Sequence, residues 1–279
     1  MKQGMIIIFL ALLSQISIFA QHSNYPLGAG PGGMSGLSVI SSDVWAASNN
    51  QANMAGITSF SAGVYYENRF LLKELGYKAG AAVLPVSKGV FGLTFSQFGY
   101  SQYNESDAGI AYSMPFGDHF SAGIRMSYVH TKIGDIYGSK GAIVAEGGLS
   151  AKITPEVTFG MHLYNPGSAK LSSYQDERIP TIFKAGIAYT FSEQLIVGLE
   201  LSKDINYDPV VSAGFEYLFN DFLYLRAGIN ARPALTGFGF GLKFEHFRID
   251  FASTLHPLLG YSPQASIVYQ LQPAKPATK

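Results

Sequence analysis

The chain has 279 residues, no cysteine, 31 glycines and 37 phenylalanine or tyrosine residues (20 and 17), and its formal net charge is zero. Charged residues make up only 14%, well below the roughly 25% of a soluble domain, a polar deficit that points to contact with lipid. A zero net charge with no Lys/Arg cluster argues against nucleic-acid binding, and the lack of cysteine excludes disulfides and thiolate metal sites.

The N-terminus reads as a secretory signal peptide over residues 1–20. Lys2 precedes the apolar run Met5–Leu13, and small Ala20 stands before Gln21. That run is too short to cross a bilayer as a helix. No cysteine follows it, so a lipoprotein signal is not expected.

Residues 21–57 are rich in Gly, Ser and Asn and show no sustained alternation. They are expected to form a plug segment tucked into a lumen, with a periplasmic tail as the other reading. Ser42 or Asp43 can cap a short helix over Val44–Ser48 by accepting from free backbone N–H groups. Asn49 and Asn50 would end that helix, and Trp45 would be its bulky anchor. A phosphate-loop reading of the glycines lacks a preceding strand and a following Lys-Ser/Thr.

From Thr58 the period becomes 2, the signature of strands. The expected strands are Thr58–Phe70, Gly76–Val86, Val90–Gln97, Ala108–Met114, His119–Ile133, Ala142–Ile153 and Val157–Tyr164. Seven more follow from Ile179. In these, Ile187, Leu199, Phe215, Ile229 and Phe240 lie on a greasy face, and Lys184, Glu200, Glu216, Arg226 and Lys243 lie on a polar or small one. Tight connections such as FND and EH alternate with longer ones such as SKDINYDP and ARPALTG, which matches the short periplasmic turns and longer outward loops of outer-membrane barrels. The expected fold class is therefore all-β, a transmembrane antiparallel β-barrel of about 14 strands over residues 58–271 with an N-terminal lumen plug. An even strand count puts both ends, including the 272–279 tail, on the periplasmic side.

Hairpin symmetry predicts ion pairs inside the lumen. A turn centred on Ser192 sets Lys184 opposite Glu200, one centred on Asp221 sets Glu216 opposite Arg226, and Lys243 meets Arg248 or Asp250. Solvated charges marking the non-lipid face are the plainer alternative. Mid-strand glycines (Gly63, Gly80, Gly123, Gly148, Gly186, Gly214, Gly228 and Gly241) would thin the inner wall and leave room for the plug. Phe and Tyr near strand ends fit interfacial girdles.

No catalytic, metal or cofactor site is expected. G-x-S-x-G, H-E-x-x-H and acidic calcium-loop motifs are missing from the sequence. His162, on an inward face beside Tyr164, is the one candidate for a membrane hydrolase. Asp176, Glu177 and Arg178 in the longest loop could attract a partner or a cation, or simply be solvated.

The opening GGMSGLSVISSDVWAASNNQANMAG resembles the start of FadL-like outer-membrane barrels, and in particular the PorV/PorQ group of Bacteroidota. The blocks RIPTIFKAGIAYTF, SAGFEYLFNDFLYLRAGIN and GFGFGLKFEHFRIDFAS are similar to that group's C-terminal half. The chain departs from the group's usual Asn-Pro-Ala by carrying Asn50-Gln51-Ala52. The resemblance implies an outer-membrane location, a 14-stranded barrel with an internal N-terminal segment, and one of two non-enzymatic roles. The leading expectation is an accessory component of type IX protein secretion or surface assembly, with envelope proteins as partners. The alternative is a FadL-like channel for hydrophobic small molecules. Outer-membrane lipid is an expected partner under either reading.

Overall fold

A computed structural model describes residues 25–134, 138–171 and 178–271. The expected signal peptide, the 272–279 tail, and Asp176 and Glu177 lie outside these residues. Fourteen strands close on themselves in chain order, every neighbouring pair antiparallel, and β1 pairs with β14 to seal the barrel. They are β1 Ser61–Asn68, β2 Gly76–Val86, β3 Gly89–Gly99, β4 Tyr103–Phe116, β5 Phe120–Ile133, β6 Ser139–Lys152 and β7 Val157–Tyr164, followed by β8 Ile182–Ser192, β9 Leu195–Asp204, β10 Val210–Phe219, β11 Leu223–Ala231, β12 Ala234–Lys243, β13 Phe247–His256 and β14 Gly260–Gln270. No described helix is long and apolar enough to cross a membrane.

The alternation in the sequence maps directly onto the two faces of the wall. Val64, Leu93, Ile110, Ile124, Ile143 and Ile229 are exposed on the outside, where a lipid-facing belt needs them. Residues an odd number of positions away on the same strands, such as Ser113, Arg125, Glu146 and Arg226, point the other way and are buried inside. Such a large exposed apolar surface would be a liability in water and is the expected outer face of a transmembrane barrel.

Several details differ from the sequence-based expectation: β4 already begins at Tyr103 rather than Ala108, β6 at Ser139 rather than Ala142, and β1 only at Ser61 rather than Thr58. The outward loop ARPALTG contracts to Arg232 and Pro233, because β11 and β12 keep pairing up to Ala231 and Ala234. At the β8–β9 hairpin an irregularity between Thr190 and Ser192 moves the turn on by one residue, so Lys184 faces Ser202 and Gly186 faces Glu200.

The interior is filled from below by the N-terminal segment. A short helix α1 (Ala29–Gly33) leads to α2 (Ala46–Asn49) and a 3-10 helix (Gln51–Gly56). α2 begins two residues later than the expected Val44 start. Asp43 accepts from the Trp45 N–H at 3.0 Å, so that turn precedes the helix rather than belonging to it. α1 was not expected, since Ala-Gly-Pro-Gly-Gly has almost no intrinsic helix propensity. It packs against β12 and β13, and tertiary packing supplies what propensity does not.

Candidate functional site

The site is the pair formed by this plug and the space above it. Leu27, Val44, Trp45, Met54 and Ile57 form one apolar cluster with the wall residues Tyr65, Val83, Val90, Ala111 and Val268. Trp45 is fully buried and meets Tyr65 edge-on, with ring centroids 5.9 Å apart. Burying a Trp of this kind is among the larger single contributions to holding such a segment in place.

Inward glycines make the fit possible. A Cβ at Gly123 would meet the backbone of Gln51 and Ala52, one at Gly228 the backbone of Met34, and one at Gly160 the carbonyl of Val39. Gly63, Gly148, Gly186 and Gly214 are likewise filled by plug atoms. Two of the singled-out glycines do otherwise. Gly80 pairs with the outward Val64 and has no plug atom near it, and Gly241 makes room for Asp250 and Arg226.

Polar contacts then fix the plug's position. Glu200 Oε2 accepts from the Ser38 and Val39 N–H groups at 2.7 and 2.8 Å. Charge-assisted bonds of this kind are worth about 1.5–3 kcal/mol each. Asn49 pairs reciprocally with the Leu27 backbone at 2.9 Å in both directions. The Asn50 side chain donates to the Val39 carbonyl at 2.7 Å and to that of Leu149 in the wall at 3.2 Å. Asp43 meets the Arg248 guanidinium of β13. Asp43, Trp45, Asn49 and Asn50, expected as plug residues from the sequence, thus each have a defined contact.

Two clusters of charged residues stand out on the described inner wall. In one, Arg226 joins Glu216, directly across the β10–β11 pair, to Asp250 at 2.7 Å, and Arg248 reaches Asp250 at 2.8 Å. Lys243 stands outside this cluster, exposed and opposite Arg248, while Gly241 is the residue facing Asp250. The expected Lys184–Glu200 pair is absent as well. The shifted register separates them, Glu200 is taken up by the plug amides, and the Lys184 ammonium has no hydrogen-bond partner among the described residues.

The second cluster was not singled out from the sequence. Arg125 on β5 binds Asp107 on β4 and Glu146 on β6, and its Nε donates to Thr94 on β3 at 3.0 Å. Glu146 also meets His162 at 3.1 Å and the plug's Gln51 at 3.3 Å. One guanidinium therefore ties four adjacent strands together. The signal was an inward Arg and an inward Glu in consecutive strands, but the loop between them is long, so their register could not be read from a turn. His162 is buried in this cluster, and it is not among the residues that line the cavity above.

That cavity has a volume of about 740 Å³. Its floor is the plug, at Gly32, Ser35 and Ser48, and its walls are the upper halves of the strands. Tyr65, Tyr77, Phe98 and Tyr103 line the β1–β4 flank, where Tyr25 lies 3.4 Å from the Arg69 guanidinium. Lys184, Glu200, Ser202 and Ser212 line the opposite β8–β10 flank. Above the short β7, Ile179 of the following loop packs with Val129, Val144 and Tyr164, and the Asn165 side chain bonds the Ile179 carbonyl at 2.7 Å. The wall is thus closed by apolar packing where β7 ends early.

A closed 14-stranded barrel with an internal plug and a chamber above it defines a class, the plugged transmembrane barrels. No family model matches the chain, and no curated protein matches it. Among solved structures it is similar to CymD, described as a monoaromatic hydrocarbon channel, with a TM-score of 0.68 and 13% identity over 90% of this chain and 99% of that one. It is similar to a Pseudomonas aeruginosa FadL homologue (TM-score 0.66, 13% identity, 90% of this chain and 100% of that one). It is also similar to the Pseudomonas putida toluene transporter TodX (TM-score 0.66, 14% identity, 88% of this chain and 97% of that one). At such identities the likeness establishes the fold, which is the FadL-type barrel.

Proposed function

We propose that the protein is a non-enzymatic outer-membrane channel that takes small, largely apolar solutes into the chamber above the plug. The observation that carries this reading is the chamber itself. At about 740 Å³ it lies within the range of ligand sites for small molecules, roughly 300–1,000 Å³. Its aromatic flank offers rings for an apolar body, and a few convergent polar groups offer orientation. The belt of outward Ile, Leu, Val and Phe seats the barrel in outer-membrane lipid. Function does not follow from fold alone, but of the solved structures of this fold named above CymD is a monoaromatic hydrocarbon channel and TodX a toluene transporter. The accessory role in type IX secretion or surface assembly, expected from the PorV/PorQ resemblance, draws no support from those structures.

Filling the chamber tests the reading. Ser212 is buried on the inner face of β10 and lines the cavity. Ser212→Trp should reduce uptake of a labelled neutral arene by intact cells by about tenfold, because a bulky ring takes the space the solute needs. Co-purification with secretion proteins and an unchanged uptake rate would count against a channel and in favour of the accessory role.

A further inference from the structure

The chamber is lined by a buried lysine that has the Glu200 and Glu146 carboxylates as charged neighbours but no hydrogen-bond acceptor among the described residues. It is Lys184 of β8, which is among the residues that line the cavity, is 3% exposed, and has a shielded Nζ. The charged neighbours around the same space are satisfied within the protein. Glu67 pairs with Arg69, Asp107 with Arg125, and Glu200 accepts from two plug amides. An ammonium shielded from solvent and left without an acceptor is costly, so such a group in a binding chamber marks the place where a ligand brings the acceptor.

We propose that Lys184 anchors the anionic end of an aromatic organic acid whose ring lies toward the Tyr65, Tyr77 and Phe98 flank. The two flanks are on opposite arcs of the barrel, β1–β3 against β8, so the ligand is elongated, with its anion and its ring at opposite ends. The hydroxyls of Ser202 and Ser212, which line the chamber on the Lys184 side, add donors for a carboxylate. This inference rests on the chamber being a solute site, and it narrows the solute class from neutral hydrocarbons to acids.

The test is calorimetric binding to the purified full chain in a neutral detergent, comparing 4-phenylbutanoate, 4-phenylbutan-1-ol and dodecanoate. The acid should bind about tenfold more tightly than the alcohol, the scale of one charge-assisted contact. Lys184→Met should remove that preference and leave the alcohol unaffected, while Lys184→Arg should keep it and shows that the site still folds. Equal affinity for acid and alcohol, or a preference that survives Lys184→Met, would overturn the anchor while leaving the chamber as a solute site. Dodecanoate binding as tightly as the aryl acid would overturn the aromatic assignment. Failure of all three probes to bind would remove the solute site and the anchor with it.

Discussion

Gly123→Val is expected to unseat the plug while leaving the barrel closed. Gly123 faces inward on β5, and a Cβ there would come within 2.8 Å of the Ala52 nitrogen and as close again to the backbone of Gln51. Backbone of a short helix cannot rotate aside as a flexible side chain would. Overpacking of this kind costs about 1–3 kcal/mol, and here the strain falls on the plug, because the strand itself is held by hydrogen bonds on both sides. Amides of the 3-10 helix should exchange with solvent at least about tenfold faster, with little change in the strands. Gly147→Val is the matched control. It lies on the next strand with nothing within 4 Å of its added Cβ, and should change neither. Parental exchange rates in Gly123→Val would mean that the plug does not depend on the thin wall.

Arg125→Met should have the largest effect on the barrel itself. The side chain is 3% exposed and is the shared partner of Asp107 and Glu146. Without it two carboxylates remain close together in the lumen with no cation between them, and breaking a buried network from one side costs about 3–5 kcal/mol. The midpoint of urea unfolding in lipid vesicles should fall accordingly. Adding Asp107→Asn and Glu146→Gln to the same chain should recover much of the loss, because the carboxylates are then neutral. An unchanged midpoint in the single variant would show that the network contributes little beyond its geometry.

The strands were legible in the sequence because their code is local. Ile187 out and Ala188 in, or Phe215 out and Glu216 in, is a pattern that needs no knowledge of the partner strand. The Glu216–Arg226 register was also legible, since the FND turn fixes it. At β8–β9 the same reasoning failed, because a one-residue irregularity near Ser192 leaves no trace in the hydrophobic pattern and yet shifts Glu200 away from Lys184. α1 was invisible for a different reason. Ala-Gly-Pro-Gly-Gly becomes helical only where β12 and β13 enclose it, which is a tertiary effect. Arg125 was passed over because its partners come from β4 and β6, and only the closed barrel brings those together with Thr94 on β3. The chamber likewise belongs to no one segment.

The most direct test of the channel account is to lock the plug and follow transport. The chain has no cysteine, so Ala47→Cys with Gly92→Cys gives a clean pair. A Cβ at Gly92 would lie 3.0 Å from that of Ala47, and disulfides need about 3.5–4.5 Å, so a small adjustment suffices. Uptake of a labelled arene by intact cells should stop when the pair is oxidised and return to the level of the parent when it is reduced. Equal uptake in both states would contradict passage past the plug, and no uptake by the parent chain would contradict the channel.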